Sequence, residues 1–387
     1  MRPLVEAEQA VLGAVLLDPG QLPRLAGWLA PAHFSRPVHA ALYAAMLKLR
    51  ADRHPAAHAG ADEVPLSWVT DTVAEASRHV RGLTAAYPHT LAAACPRPGH
   101  APAYGRMVLE GAIHRSVAEH AVRLHQAARA DAVRGEAEES LHCARRLTGV
   151  LTDLGRRWGG VEPRATALRG PSPAAPQPSL PSDERVVADE RHLLGVLVER
   201  PARLDQVVAW LRPEDFAVPA HALLYRCVAA LHHRGEPVDH LTVLWEAQHR
   251  GLLADGTVTA EQVRDICGSA AAGSAEYLAQ QVARASVLRT AATSARAVQE
   301  LADDESLSPG RLIGYALHAL EPLAEAVRRW RQATGSPEPP VAARPFPDRI
   351  VAARTRSRLS PPNRAVRPPA AAARTVTHAC PSHRSRP

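Results

Sequence analysis

The residue types that handle phosphates and nucleophiles are thinly represented in this 387-residue chain. It holds one lysine, Lys48, among 46 basic residues. A phosphate-binding loop of the form G-x-x-x-x-G-K-[ST] needs a lysine that reaches the β- and γ-phosphates. Lys48 sits in Met46-Leu47-Lys48-Leu49, with no glycine before it and no serine or threonine after it. Such a loop is therefore excluded. Twenty histidines invite a metal site, but there is no H-E-x-x-H and no cysteine pair at zinc spacing. His54 and His58 are four apart, yet Pro55 breaks the helix that would aim them together. His232 and His233 point in different directions on a helix. The run Gly268-Ser269-Ala270-Ala271-Ala272-Gly273 is one residue too long for G-x-S-x-G and falls in a helix-to-helix turn. Asp303-Asp304-Glu305 reads as a solvated helix end. No catalytic residue, metal or cofactor is assigned, and the chain is expected not to be an enzyme.

Binding chemistry is better represented. Residues 331–387 carry 11 arginines against Glu338 and Asp348, a net +9, which leaves −2 for residues 1–330. Clustered arginine neutralises phosphates with strong salt dependence and no sequence preference. Arg349, Arg354, Arg356, Arg358, Arg364 and Arg367 are thus candidate nucleic-acid contacts, weighed evenly against a merely solvated tail. Phe346 is the only aromatic there, so base stacking is not supported. His39 and His221 recur at matching places. They are either site histidines or helix-start residues that cap or pack against Trp or Phe. The second reading is preferred, since no carboxylate or nucleophile is taken to recur with them.

The elements that position these residues come as a duplication. Sliding the chain by 182 residues lays Glu190–Leu231 over Glu8–Leu49 without a gap, and 15 of the 42 pairs are identical. Trp28/Trp210 and Phe34/Phe216 are among them, although the chain has only 6 Trp and 3 Phe. Matching both by chance is hard, so the repeat is real. These four aromatics follow apolar stripes at helical spacing and read as core. In the first copy, helices are expected at about 4–17, 20–30, 37–50 and 66–80. A short helix plus loop over 87–102 and long helices at 103–132 and 136–158 follow. In the second they are expected at about 184–200, 202–211, 218–234, 239–250, 259–271, 274–304 and 308–331. The last two long helices of each copy form an αα-hairpin.

The repeated pattern is E-x-x-x-L-G-x-x-[LV], a proline, L-x-x-x-x-x-W-L-x-P-x-x-F, and then P-x-H at the next helix start. It resembles the N-terminal domain of DnaB-type replicative DNA helicases. The resemblance extends in the second copy through Val238–Leu253, Ser274–Val282 and Val287–Leu301; the first copy drifts after Leu49. It implies an all-α fold with self-association through the hairpins and docking of primase or replicative helicase. It does not carry over helicase activity, since the motor's phosphate loop is missing. It also implies that Trp245, His249 and Arg250, in LTVLWEAQHRGLL, belong to a partner-binding surface; ordinary packing is the competing reading. Two copies in one chain could pair as a pre-formed dimer, because a linker of about 25 residues sets an effective concentration of order millimolar.

The expected organisation is a first helical domain over 1–158, a Pro-rich linker over 159–183, a second helical domain over 184–332 and a disordered Arg/Pro-rich tail over 333–387. Six prolines mark the linker and 11 fall in residues 331–387. Aromatics at 4% and abundant Ala and Leu favour helices over strands. Five scattered cysteines argue for reduced thiols. No long apolar run or leader-like start is seen, so no membrane span and a cytoplasmic location are expected.

Overall fold

A computed structural model describes residues 3–58, 66–159, 184–254, 256–268 and 273–335. Among them the regular structure is helical, with no strand, as the composition implies. Most of the Pro-rich stretch and the arginines from Arg349 to Arg367 lie outside the described residues.

The first copy comprises α1 (Pro3–Leu17), α2 (Leu22–Leu25), α3 (Pro37–Ala51), α4 (Leu66–Ser77), α5 (Tyr87–Ala93), α6 (Ala101–Arg134) and α7 (Glu138–Gly159). The second comprises α8 (Glu184–Glu199), α9 (Leu204–Val208), α10 (Pro219–His233), α11 (His240–His249), α12 (Ala260–Cys267), α13 (Ala275–Asp303), α14 (Pro309–Ala319) and α15 (Glu321–Thr334). Local chemistry sets most of the boundaries. Pro37 and Pro219 stand in the first turns of α3 and α10, where a missing N–H costs nothing. Gly135 adopts φ 72° to close α6, a left-handed value that favours glycine.

Three expected helices differ, the one over 202–211 becoming a 3₁₀ turn at Pro201–Arg203 followed by α9, which ends at Val208. The helix over 20–30 shrinks to a 3₁₀ turn at Pro19–Gln21 followed by α2, which ends at Leu25. Pro23 and the glycines at 20 and 27 leave little to propagate it. The helix over 308–331 is two helices, because Pro322 lacks an N–H and its ring opposes the carbonyl four residues back.

The cores do not divide as the copies do. One cluster surrounds Trp210, Phe216 and Tyr225 in the second bundle. The other joins the first bundle to α6, α7 and the run of α13–α15 from Val287 to Ala326. The second hairpin is thus built into the first copy's core. Helix α6 lies along α13, and α7 packs on α14. The pairing is antiparallel: His125 Nδ1 meets Ala292 O at 3.3 Å, and His114 Nδ1 meets Ala302 O at 2.9 Å.

The repeat persists in this region with little sequence identity and at a shifted offset. At an offset of 174 residues, Val108/Val282, Ile113/Val287, Val117/Ala291, Ala121/Ala295, Leu124/Val298 and Ala128/Ala302 are all buried pairs. This relation together with the antiparallel register makes the hairpin pair pseudo-two-fold. The register sets Ala121 against the neighbourhood of Ala295 at its centre, where small side chains let the backbones approach.

Candidate docking surface and the buried pairs behind it

Each bundle is held by a buried acid–histidine pair. Glu8 accepts the Ser35 N–H at 2.5 Å and meets His39 Nδ1 at 2.7 Å, with both side chains wholly enclosed. His39 Nε2 lies 2.6 Å from the Tyr87 hydroxyl. Glu190 accepts the Ala217 N–H at 2.5 Å and the Val218 N–H at 3.2 Å, and meets His221 Nδ1 at 2.9 Å. The expectation that no carboxylate recurs with His39 and His221 is overturned. Glu8 and Glu190 are identical at the same offset, a signal present in the sequence but masked by a separation of 31 residues from each histidine. Their chemistry is structural. A carboxylate ties the first helix of the bundle to the start of the third, where the helix dipole favours negative charge. Burial opposes ionisation of Glu8, but the His39 and Ser35 hydrogen bonds leave its carboxyl below the usual carboxylate value.

A second repeated corner precedes each of these helices. The Ala30 N–H donates to His33 Nδ1 at 3.0 Å, and the Arg212 N–H donates to Asp215 Oδ2 at 2.9 Å. Arg115 donates to the His33 carbonyl at 2.7 Å, and Arg289 to the Asp215 carbonyl at 2.6 Å. The corners then diverge. Asp215 Oδ1 also accepts from Ser286 Oγ at 2.8 Å and Arg329 Nη2 at 2.7 Å, which pins α15 to the second bundle. His33 offers no carboxylate; burial first, and Arg115 second, push its ring down to about 4.

The residues singled out in the sequence sit on α11. Asp239 caps this helix, accepting from the N–H groups of Leu241 at 2.8 Å and Thr242 at 2.9 Å. Val243 and Ala247 face the core at 0% exposure, while Leu241 and Trp245 stand 64% and 62% exposed. The ordinary-packing reading of Trp245 therefore does not hold. The His249 ring meets the indole edge-on at 4.7 Å, and His249 Nδ1 is 2.9 Å from the Trp245 carbonyl. Leu241, Trp245 and His249 thus make one exposed stripe at successive turns. Arg250 flanks it in an ion-pair network: Glu246 receives Arg250 Nε at 2.7 Å and Arg234 Nη2 at 2.7 Å. That network ties α11 to the end of α10.

Other sequence candidates fall to structural roles. Lys48 bridges α3 to α4 through Glu75 at 2.6 Å. His54 pairs with Asp71 at 3.0 Å and His232 with Asp205 at 2.9 Å. Trp28, Trp210, Phe34 and Phe216 are buried, and the Phe34–Tyr43 and Phe216–Tyr225 rings pack alike, tilted by 37° and 32° with centroids 5.1 and 5.0 Å apart. Cys95, Cys143, Cys227 and Cys267 are free thiols. Among the described residues, no group of His, Cys, Asp and Glu could hold a metal, and no helix is long and apolar enough to cross a membrane.

The DnaB-like helicase N-terminal domain family matches the chain twice, at residues 2–110 and 183–284. Both matches stop inside the long helices α6 and α13. Among curated proteins, the replicative DNA helicase DnaB of Mycobacterium leprae is 41% identical over 68 residues, which is 18% of this chain and 11% of that protein. DnaB of Geobacillus stearothermophilus is 36% identical over 124 residues, 32% of this chain and 25% of that protein. The replicative DNA helicase DnaC of Bacillus subtilis is 34% identical over 102 residues, 26% of this chain and 22% of that protein. The chain thus spans a quarter or less of the length of these relatives. No solved structure matches it.

Proposed function

Since this chain belongs to the family of the DnaB-like helicase N-terminal domain and carries that domain twice, we propose that it is a non-catalytic protein-binding module of DNA replication. Its partner would be a primase or a replicative helicase, met in the cytoplasm. The observation that carries this reading is the exposed Leu241–Trp245–His249 stripe on α11, a helix capped by Asp239 and tied to α10 through Glu246. An exposed tryptophan on such a helix is the kind of anchor that dominates protein interfaces. The hairpins, which would otherwise serve self-association, already meet each other within the chain. The bundle faces are what is left for a partner.

The test is a pull-down of the full chain and of Trp245→Ala against the host's primase and replicative helicase. The reading expects capture by wild type and at least tenfold weaker capture by the variant, with unchanged helical circular dichroism. Equal capture by both would remove α11 from the function.

A second reading rests on the +9 charge of residues 331–387. It has the tail, through Arg349, Arg354, Arg356, Arg358, Arg364 and Arg367, bind nucleic acid without sequence preference. A duplex DNA control at two salt concentrations, with and without the tail, separates it. Binding that needs the tail and fades at higher salt favours this reading.

A further inference from the structure

One side chain in the α6–α13 seam makes contacts that its neutral form cannot satisfy. His114 places Nδ1 2.9 Å from the Ala302 carbonyl and Nε2 3.0 Å from the Leu307 carbonyl. Carbonyl oxygens only accept. A neutral imidazole donates from one nitrogen and presents a lone pair at the other. Both contacts are hydrogen bonds only when both nitrogens carry protons. The two carbonyls are themselves in need of donors. Helix α13 ends at Asp303, so Ala302 is among the last residues whose carbonyls have no partner within the helix. Leu307 lies in the turn just before Ser308, the N-cap of α14.

The surroundings suit a cation. The C-terminal end of α13 carries partial negative charge. Asp304 caps that end, its carboxyl held low first by hydrogen bonds from Ser306 and then by His114 and by Arg311 of α14. Glu110 lies one turn before His114 on α6; burial pushes its carboxyl up, against Arg106 and His114. The charged groups around it are thus two acids, Glu110 and Asp304, and two arginines, Arg106 and Arg311. The pseudo-two-fold puts Leu288 in the place of His114 on α13, buried and without a polar group. The device therefore exists on one side of the seam only.

We propose that His114 is a protonated staple: its imidazolium bridges the α13–α14 turn to α6, and loss of the proton loosens the pairing of the two copies. The pairing of the copies is then a proton-sensitive joint, independent of whatever α11 binds.

The test uses the full chain with ¹⁵N-labelled histidine, the His114 ring being assigned through its own backbone resonances. At pH 6 both of its ring nitrogens are expected to report as N–H. Amide exchange over residues 303–312, corrected for intrinsic base catalysis, is expected to rise at least tenfold between pH 6 and pH 8.5. In His114→Gln, whose amide nitrogen carries two protons at every pH, that rise is expected to vanish. A bare ring nitrogen at pH 6, or the same pH response in His114→Gln, overturns the proposal. The ring measurement is made on the unmodified chain and decides even if the variant fails to fold.

Discussion

Helices α4 and α11 occupy the same place in the two copies, and they differ where it matters for binding. Their inward positions correspond: Trp68 with Val243 and Thr72 with Ala247, each at 0% exposure. Their outward positions begin alike, with Leu66 and Leu241 both exposed. One turn later the second copy presents Trp245 and the first presents Thr70. The core pattern was kept through changes of side-chain size, while the surface pattern was free to change. A tryptophan kept in water has no packing reason to be there, which is why the second bundle rather than the first is read as the docking face.

The largest expected effect tests whether the two cores are equivalent. Removing a buried carboxylate leaves an enclosed histidine and backbone donors unpaired. Glu8→Ala and Glu190→Ala are each expected to cost about 3–5 kcal/mol in urea unfolding. A near-neutral result in one copy would show that its pair is dispensable.

The corners differ more sharply. His33 stays neutral in the folded chain down to about 4, whereas in the unfolded chain it titrates from its ordinary 6.5. Below pH 6.5 the unfolded state takes up a proton that the folded state refuses, so this contribution to stability declines as pH falls from 6.5 to about 4. At about 1.4 kcal/mol per pH unit, the loss is at most about 3.5 kcal/mol. His33→Asp, which installs the second copy's residue, is expected to remove that decline in thermal unfolding between those pH values. An unchanged profile would place the His33 ring in water.

The seam is tested at its centre. Ala121→Leu and Ala295→Leu both overpack the same crossing and are each expected to cost about 1–3 kcal/mol. Similar losses support the pseudo-two-fold; a loss at one position alone would break it. The smallest effect is expected at the surface. Trp245→Ala and Thr70→Trp should each change stability by no more than about 0.5 kcal/mol. A larger loss for Trp245→Ala would mean that the indole packs after all.

Much of the architecture was legible from spacing alone. Glu8–Leu49 and its second copy announced two bundles, and Trp28, Trp210, Phe34 and Phe216 announced their cores. Helix starts at Pro37, Pro219 and Ser274 follow from local rules that need no tertiary context. The surface was harder to read. Trp245 sits in an apolar run whose periodicity fits a buried stripe as well as an exposed one. The Glu8–His39 and Glu190–His221 pairs join residues 31 apart, beyond the reach of any helical period.

The composition and the repeated motif were enough to anticipate helices through both copies, the resemblance that points to the family, and the lack of a lysine at phosphate-loop spacing. They are properties of residue order and local backbone preference, and neighbours along the chain suffice to express them. The pairing of α6 with α13 is of another kind. It depends on burial at positions such as Val117 and Ala291, which share no identity with each other and lie in helices far apart in sequence. Which hydrophobic stripe meets which is a matter of shape and of the available donors, and those exist only once the helices are packed.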